Sequence, residues 1–136
     1  MGAILVTGGA GYIGSHTVLA LLEAGYDVVV YDNLSSGHRE AVLPPARLVV
    51  GDLAETTRLE ELFQTENITA IIHFAASIVV PESVADPLKY YSNNTVKTTG
   101  LISKALAAGV QSFIFSSTAA VYGIPEAIPV SEAAPL

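Results

Sequence analysis

The sequence has no cysteine and no tryptophan, and its lysines and arginines number only six against thirteen aspartates and glutamates. Without cysteine there is no disulfide framework, no thiol nucleophile and no thiolate metal site. A formal charge of −7 with so few basic residues argues against a nucleic-acid partner, because phosphate contacts need clustered Lys and Arg. The three histidines, His16, His38 and His73, share no spacing, so each is expected in the core or on the surface, and no metal site is expected. Long apolar runs are missing too, which leaves nothing to span a bilayer. The N-terminus "MGAILVTGGAGYIGSH" has no basic region or cleavage pattern of a secretory signal. These absences lead to the expectation of a soluble cytoplasmic protein with no membrane partner.

What is present is apolar content: 51% of the 136 residues are hydrophobic and 14% charged, as in strands buried on both faces within a single domain. Short β-branched runs alternate with segments of helical period, the signature of βαβ units and a parallel sheet. Strands are expected at 3–7, 27–31, 46–50, 70–74 and 112–115. A helix at 12–24 carries Ile13, Val18, Leu21 and Leu22 on its inner side and ends at Gly25, and another at 56–66 turns Leu59, Leu62 and Phe63 inward. The longest helix is expected to start at Asp86-Pro87 and end at Gly109, and residues 33–45 to form a loop with at most a short helix. Right-handed crossovers then give a doubly wound α/β fold, a Rossmann sheet of strand order 3-2-1-4-5 with its C-terminal edge as the binding side.

At that edge "VTGGAGYIGSH" joins the first strand to the first helix, and Gly9, Gly11 and Gly14 fit G-x-G-x-x-G, while Gly8, Gly11 and Gly14 fit a G-x-x-G-x-x-G variant. Glycine is needed where a Cβ would push a pyrophosphate away from the N–H groups at the positive end of a helix. Asp32 ends the second strand eighteen residues after Gly14, placed to accept hydrogen bonds from both hydroxyls of an adenosine ribose. Its charge would repel a 2′-phosphate and favours NAD over NADP, with Arg39 nearby as the residue that could relax this preference. Asp52, in "GDL" at the end of the third strand, has two readings: an acceptor for the adenine amino group, or the cap of the next helix. Small residues in "FAA", Phe74 to Ala76, would let a cofactor cross the strand edge or a helix pack closely. Tyr90, Tyr91, Asn93 and Asn94, by themselves, read as core tyrosine and polar helix surface.

Gly8-Gly9-Ala10-Gly11-Tyr12-Ile13-Gly14, Asp32-Asn33-Leu34, Gly51-Asp52, His73-Phe74-Ala75-Ala76, Tyr90-Tyr91-Ser92-Asn93-Asn94 and Phe115-Ser116-Ser117-Thr118-Ala119-Ala120-Val121-Tyr122-Gly123 together resemble the extended short-chain dehydrogenase/reductase family, and within it the branch of UDP-hexose 4-epimerases. The resemblance runs in order over essentially the whole chain. It implies an NAD-binding domain over 1–136, with cofactor contacts at Gly8, Gly11, Tyr12, Ile13, Gly14, Asp32, Asn33, Asp52, Leu53, Phe74, Ala75, Ala76, Asn94 and Ser116. In the family reaction NAD takes hydride from C4 of a UDP-hexose, the keto sugar turns over, and hydride returns to the opposite face. By resemblance Thr118 is the catalytic hydroxyl that bonds O4, and Ser116 lies by the nicotinamide. Ala119 and Ala120 stand where related 4,6-dehydratases carry an Asp-Glu pair, which separates this chain from them. Ile78 stands where many epimerases have a lysine.

The family's base is a Tyr-x-x-x-Lys, and no tyrosine here fits: Lys89, Lys97 and Lys104 follow Ala85, Asn93 and Gly100 by four residues, and Glu126 follows Tyr122. That pair, and the UDP-sugar-binding C-terminal region, are expected past residue 136, so the chain is expected to be truncated after the fifth strand and to bind NAD without turnover. Self-association into a homo-oligomer is expected from an uncovered fifth strand and from the long helix, which resembles the family's dimer helix. Two other functions stay open: another NAD-dependent oxidoreductase of nucleotide sugars, and a non-catalytic dinucleotide-binding module.

Overall fold

The computed structural model describes residues 2–125 and 127–135. Its strands are β1 (Ala3–Thr7), β2 (Val28–Asp32), β3 (Arg47–Val50), β4 (Ile68–His73) and β5 (Ser112–Phe115). All pairings are parallel, and the strand order β3-β2-β1-β4-β5 is the one the crossovers predict. Helices α1 (Tyr12–Glu23), α2 (Thr56–Thr65), α3 (Val80–Ala85), α4 (Pro87–Tyr90) and α5 (Lys97–Ala107) connect them.

Alternation along the strands divides the core in two. Val6, Val28 and Val30 face α1 and pack with Val18, while Leu5, Val29, Tyr31 and Ile71 face the other way, onto Leu59 and Leu62 of α2 and Leu101 and Ala105 of α5. Period-2 strands between period-3.6 helices thus bury both sheet faces, as the continuous apolar runs require. Gly25 and Gly109 end α1 and α5 at φ 81° and 77°, the left-handed conformation that closes a helix. One inward assignment fails: Ile13 is 61% exposed, because it lies in the first turn of α1, beyond the sheet edge.

The long helix runs from Pro87 to Ala107, and its turns widen at one place. Asp86 caps α4, its carboxylate accepting from the Lys89 N–H at 3.1 Å, but residues Tyr91–Val96 form a π-helical stretch before α5 begins. A short helix, α3, also precedes it, in a segment where the sequence pattern predicts none. The 33–45 loop contains one 3-10 turn, Arg39–Ala41.

Candidate functional site

Strand register brings the candidate residues to one edge. The pairings Thr7 with Tyr31, Thr7 with His73, and His73 with Phe115 align the strand ends. The ladder then continues one residue past each strand. Gly8 N–H donates to Tyr31 O (2.9 Å), Gly51 to Asp32 O (3.0 Å), Phe74 to Thr7 O (2.9 Å) and Ser116 to His73 O (3.1 Å). Gly51, Asp32, Gly8, Phe74 and Ser116 therefore form a row along the C-terminal edge. Asp32 and Ser116 stand three strand spacings apart, roughly 14 Å. A row of that length suits an extended dinucleotide rather than a single nucleotide.

The turn from β1 into α1 is tight. Gly8 has φ 70°, and a Cβ there would come 2.7 Å from the Ala75 nitrogen. Gly14 is buried against Gly8, and a Cβ on it would run into the Gly8 carbonyl oxygen. Gly11 is the helix N-cap, with no side-chain cap and no acidic residue in the first turn. The N–H end of α1 thus opens to solvent between the exposed side chains of Tyr12 and Ile13, in the form an anion needs.

Asp32 is 8% exposed at the end of β2, second in this row and next to the central Gly8. Its Oδ2 accepts from Ala10 N–H (3.0 Å) and its Oδ1 from Leu34 N–H (2.8 Å). Each oxygen keeps a further lone pair, so the carboxylate can still accept two hydroxyl donors. The second of those bonds closes an Asx turn, and Asn33 repeats the device by accepting from Ser35 N–H (3.0 Å). Leu34 is held at φ 57°, a left-handed conformation that costs a β-carbon residue about 1 kcal/mol or more and persists here because Asp32 fixes it.

Asp52 departs from one of its two sequence readings: it is not the cap of α2, whose N-cap is Glu55. Its Oδ1 instead accepts from Ala54 N–H at 2.8 Å, closing an Asx turn ahead of the helix. Lys97 reaches over from α5 to both carboxylate oxygens (2.7 Å to Oδ1, 2.9 Å to Oδ2), and Asn33 Nδ2 donates to Oδ2 at 2.9 Å. Burial by itself would raise this carboxyl, but the hydrogen bonds from Lys97, Ala54 and Asn33 outweigh it and hold it below its ordinary value. Leu53 is buried beside it in the core under α2.

On the other side of the row Phe74 and Ala75 are half-buried and Ala76 is exposed. Asn94 is committed to the chain that follows: its Oδ1 accepts from Ser77 N–H and its Nδ2 donates to Ser77 O, both at 2.8 Å. One residue earlier, Asn93 Nδ2 donates to Ser77 Oγ at 3.0 Å. The wider π turn brings both asparagines to one face of the helix. Tyr90 secures Val79 in parallel, its hydroxyl accepting from Val79 N–H (3.0 Å) and lying 2.8 Å from both Val79 O and Glu82 Oε2. The segment 77–79 is fixed through alternate residues, which leaves Ile78 between them 82% exposed.

His73 is a core histidine, as expected, 2% exposed at the end of β4. Thr7 Oγ1 is 2.6 Å from Nδ1 and Thr98 Oγ1 is 2.9 Å from Nε2. Burial pushes its pKa down to about 4, so the ring is neutral at pH 7. Past β5, Ser116 is half-buried and Ser117 and Thr118 are exposed. Thr118 Oγ1 accepts from Ala120 N–H at 3.2 Å and caps the 3-10 turn Ala119–Tyr122.

With this geometry in place, the similarity to known proteins is specific. The family model described as the NAD dependent epimerase/dehydratase family matches residues 4–136. The chain belongs to that family. It is 51% identical over 132 residues to a UDP-glucose 4-epimerase of Azospirillum brasilense, a match covering 97% of this chain and 38% of that relative. The solved UDP-glucose 4-epimerase of Brucella ovis in complex with NAD superposes with a TM-score of 0.86 at 46% identity, over 99% of this chain and 41% of that one. The Bifidobacterium longum enzyme in complex with NAD+ and UDP does so at 0.84 and 38% identity, over 98% and 42%. The chain therefore spans about two fifths of the length of the relatives it matches.

Within this family domain, two features have no counterpart in the sequence pattern: the Lys97–Asp52 pair and the Tyr90 clasp on Val79. Lys97 is 45 residues from Asp52, and only the packing of α5 beside α2 brings them together. Among the described residues no helix is long and apolar enough to cross a membrane, and no cluster of His, Asp or Glu is placed to hold a metal ion.

Proposed function

We propose that this chain binds NAD along the row from Gly51 to Ser116 and is the cofactor-binding portion of a UDP-hexose 4-epimerase. The observation that carries the reading is the buried Asp32 carboxylate beside the uncapped end of α1, within a row of dinucleotide length. The pyrophosphate would lie over Gly11, Tyr12, Ile13 and Gly14. Asp32 would take the adenosine ribose hydroxyls, and Asp52 and Leu53, with Asn33 beside them, would flank the adenine. Phe74, Ala75 and Ala76 would pass beneath the middle of the cofactor. Asn94 would act through Ser77, whose backbone it clamps, and Ser116 would stand at the nicotinamide end. When bound, NAD supplies a hydride acceptor and donor for C4 of the sugar. Thr118 would hold O4 during that exchange: its oxygen accepts from Ala120 N–H, which leaves the hydroxyl proton free to donate.

Thr118 cannot itself remove the O4 proton at neutral pH, since an unassisted hydroxyl is a very weak base. The reading therefore includes UDP-hexose binding only with residues beyond these 136, and binding without turnover by the chain alone. The cytoplasmic setting and self-association expected from the sequence are part of the same reading.

Calorimetric titration with NAD and NADP tests the cofactor assignment. A charged acceptor bonded to hydroxyls contributes about 1.5 to 3 kcal/mol, so Asp32→Ala is expected to weaken NAD roughly ten- to hundredfold while narrowing its advantage over NADP. Equal affinity for both dinucleotides, unchanged in the variant, contradicts it.

A further inference from the structure

Every polar atom of Asp52 is held. Its N–H donates to Glu55 Oε1 (2.8 Å), and its carbonyl accepts from the Tyr31 hydroxyl (3.0 Å) and from Glu55 N–H (2.9 Å). Of the carboxylate oxygens, Oδ1 is bonded to Ala54 N–H and Lys97, and Oδ2 to Lys97 and Asn33. These contacts are unequal. Ala54 belongs to the same turn, and the Lys97 side chain is only 22% exposed, reaching across from α5, whereas Asn33 is an exposed loop residue whose amide is otherwise held only by the local Ser35 N–H. A ligand donor approaching Oδ2 would meet Asn33 as the partner that yields, while Lys97 and Ala54 keep the carboxylate charged and in place.

We propose that Lys97 is a positioning residue for purine selectivity: by fixing the Asp52 carboxylate from α5, it aims Oδ2 at the amino group of the adenine ring. The assignment rests on the dinucleotide reading above and deepens it. Lys97 acts through Asp52, so it bears on the amino group and not on the rest of the cofactor. Its ammonium also joins two walls of the adenine end, the β3–α2 loop and α5, which no backbone hydrogen bond links directly.

The test compares NAD with nicotinamide hypoxanthine dinucleotide, in which a carbonyl oxygen replaces the amino group and would face the carboxylate as a second acceptor. Affinities of both for the 136-residue chain and for Lys97→Met, Lys97→Arg and Asp52→Asn are measured by calorimetry, with circular dichroism to confirm folding. The wild-type chain is expected to prefer NAD by roughly tenfold or more, the strength of a hydrogen bond to a charged acceptor. Lys97→Met is expected to lose most of that preference, chiefly by weakening NAD, and Lys97→Arg to restore it. Should Lys97→Met not fold, the Asp52→Asn and Lys97→Arg chains still decide: preference lost in the first and kept in the second supports the assignment. Equal losses for both dinucleotides in Lys97→Met, or a preference that Lys97→Met or Asp52→Asn leaves intact, overturns it. A wild-type chain that binds both equally overturns the aim of Asp52 while leaving dinucleotide binding standing. A wild-type chain that binds neither overturns the dinucleotide reading itself, and this inference with it.

Discussion

All five residues of β2 are buried, whereas in β5 Ile114 and Phe115 stand 58% and 61% exposed. Adjacent strand residues point to opposite faces, so the Ile114 face of β5 is open and the opposite face is covered only at Phe113, which packs on the core. The functional groups follow the same division. At the β2 and β3 ends, Asp32 and Asp52 are fixed by backbone N–H groups and, for Asp52, by an ion pair. At the β5 end, the only side-chain hydrogen bond of Thr118 among the described residues is the one from Ala120 N–H, two residues away. A carboxylate must be held against desolvation and repulsion by its surroundings, so its site is built into the sheet. A hydroxyl carries no such requirement and can await its partner on the surface.

Substitutions at two glycines sharpen this contrast most. Gly14→Ala places a methyl group on the Gly8 carbonyl oxygen with Gly9 Cα 2.8 Å away, and both neighbours are backbone. The expected loss is more than about 3 kcal/mol in urea denaturation, the range of severe overpacking. Gly100 in α5 has nothing within 4 Å of the place a methyl group would take, and Gly100→Ala is expected instead to gain about 0.5 to 1 kcal/mol from helix propensity. Similar losses at both sites would break the distinction between a built and an open half.

The next effect lies at the boundary, where His73 joins β4 to Thr7 and Thr98. Its pKa is lowered from 6.5 to about 4 by burial, so the unfolded chain binds the proton more readily between those values. The stability this neutral ring contributes is complete above pH 6.5 and is lost as pH falls toward 4, by up to about 3 kcal/mol. Denaturation midpoints measured from pH 7 to 4 are expected to fall in the wild type and to flatten over that window in His73→Gln. The smallest effect concerns association: Ile114→Lys with Phe115→Lys is expected to lower the apparent mass in light scattering, with little change in dinucleotide affinity. A wild-type chain that stays monomeric at high concentration would contradict it.

The sequence carried the strand order because each strand is predominantly apolar and each connection is long enough for a right-handed crossover. Two strands, β1 and β5, have the expected bounds, and the others shift by one or two residues at an end, where apolar pattern and ladder pairing diverge. The π-helical stretch within the long helix was not legible, since no local pattern in Tyr91–Val96 marks it; the π turn is tied instead to the clamp of Asn93 and Asn94 on Ser77. The place of Asp32 at the sheet edge was legible because it follows from a local spacing after Gly14. Asp52 was only half legible, because its state depends on Lys97, 45 residues further on, and no local pattern encodes that pairing.

The division between the two halves is tested most directly by incubating the 136-residue chain with NAD and UDP-galactose, following UDP-glucose while measuring bound NAD in the same sample. Loss of a positioned base alone costs about 10²- to 10⁴-fold, and loss of sugar orientation adds to it. The expected result is saturable NAD binding without detectable UDP-glucose. UDP-glucose formation that Thr118→Ala abolishes would contradict the account, because the β5 end would then be a complete catalytic site within these residues.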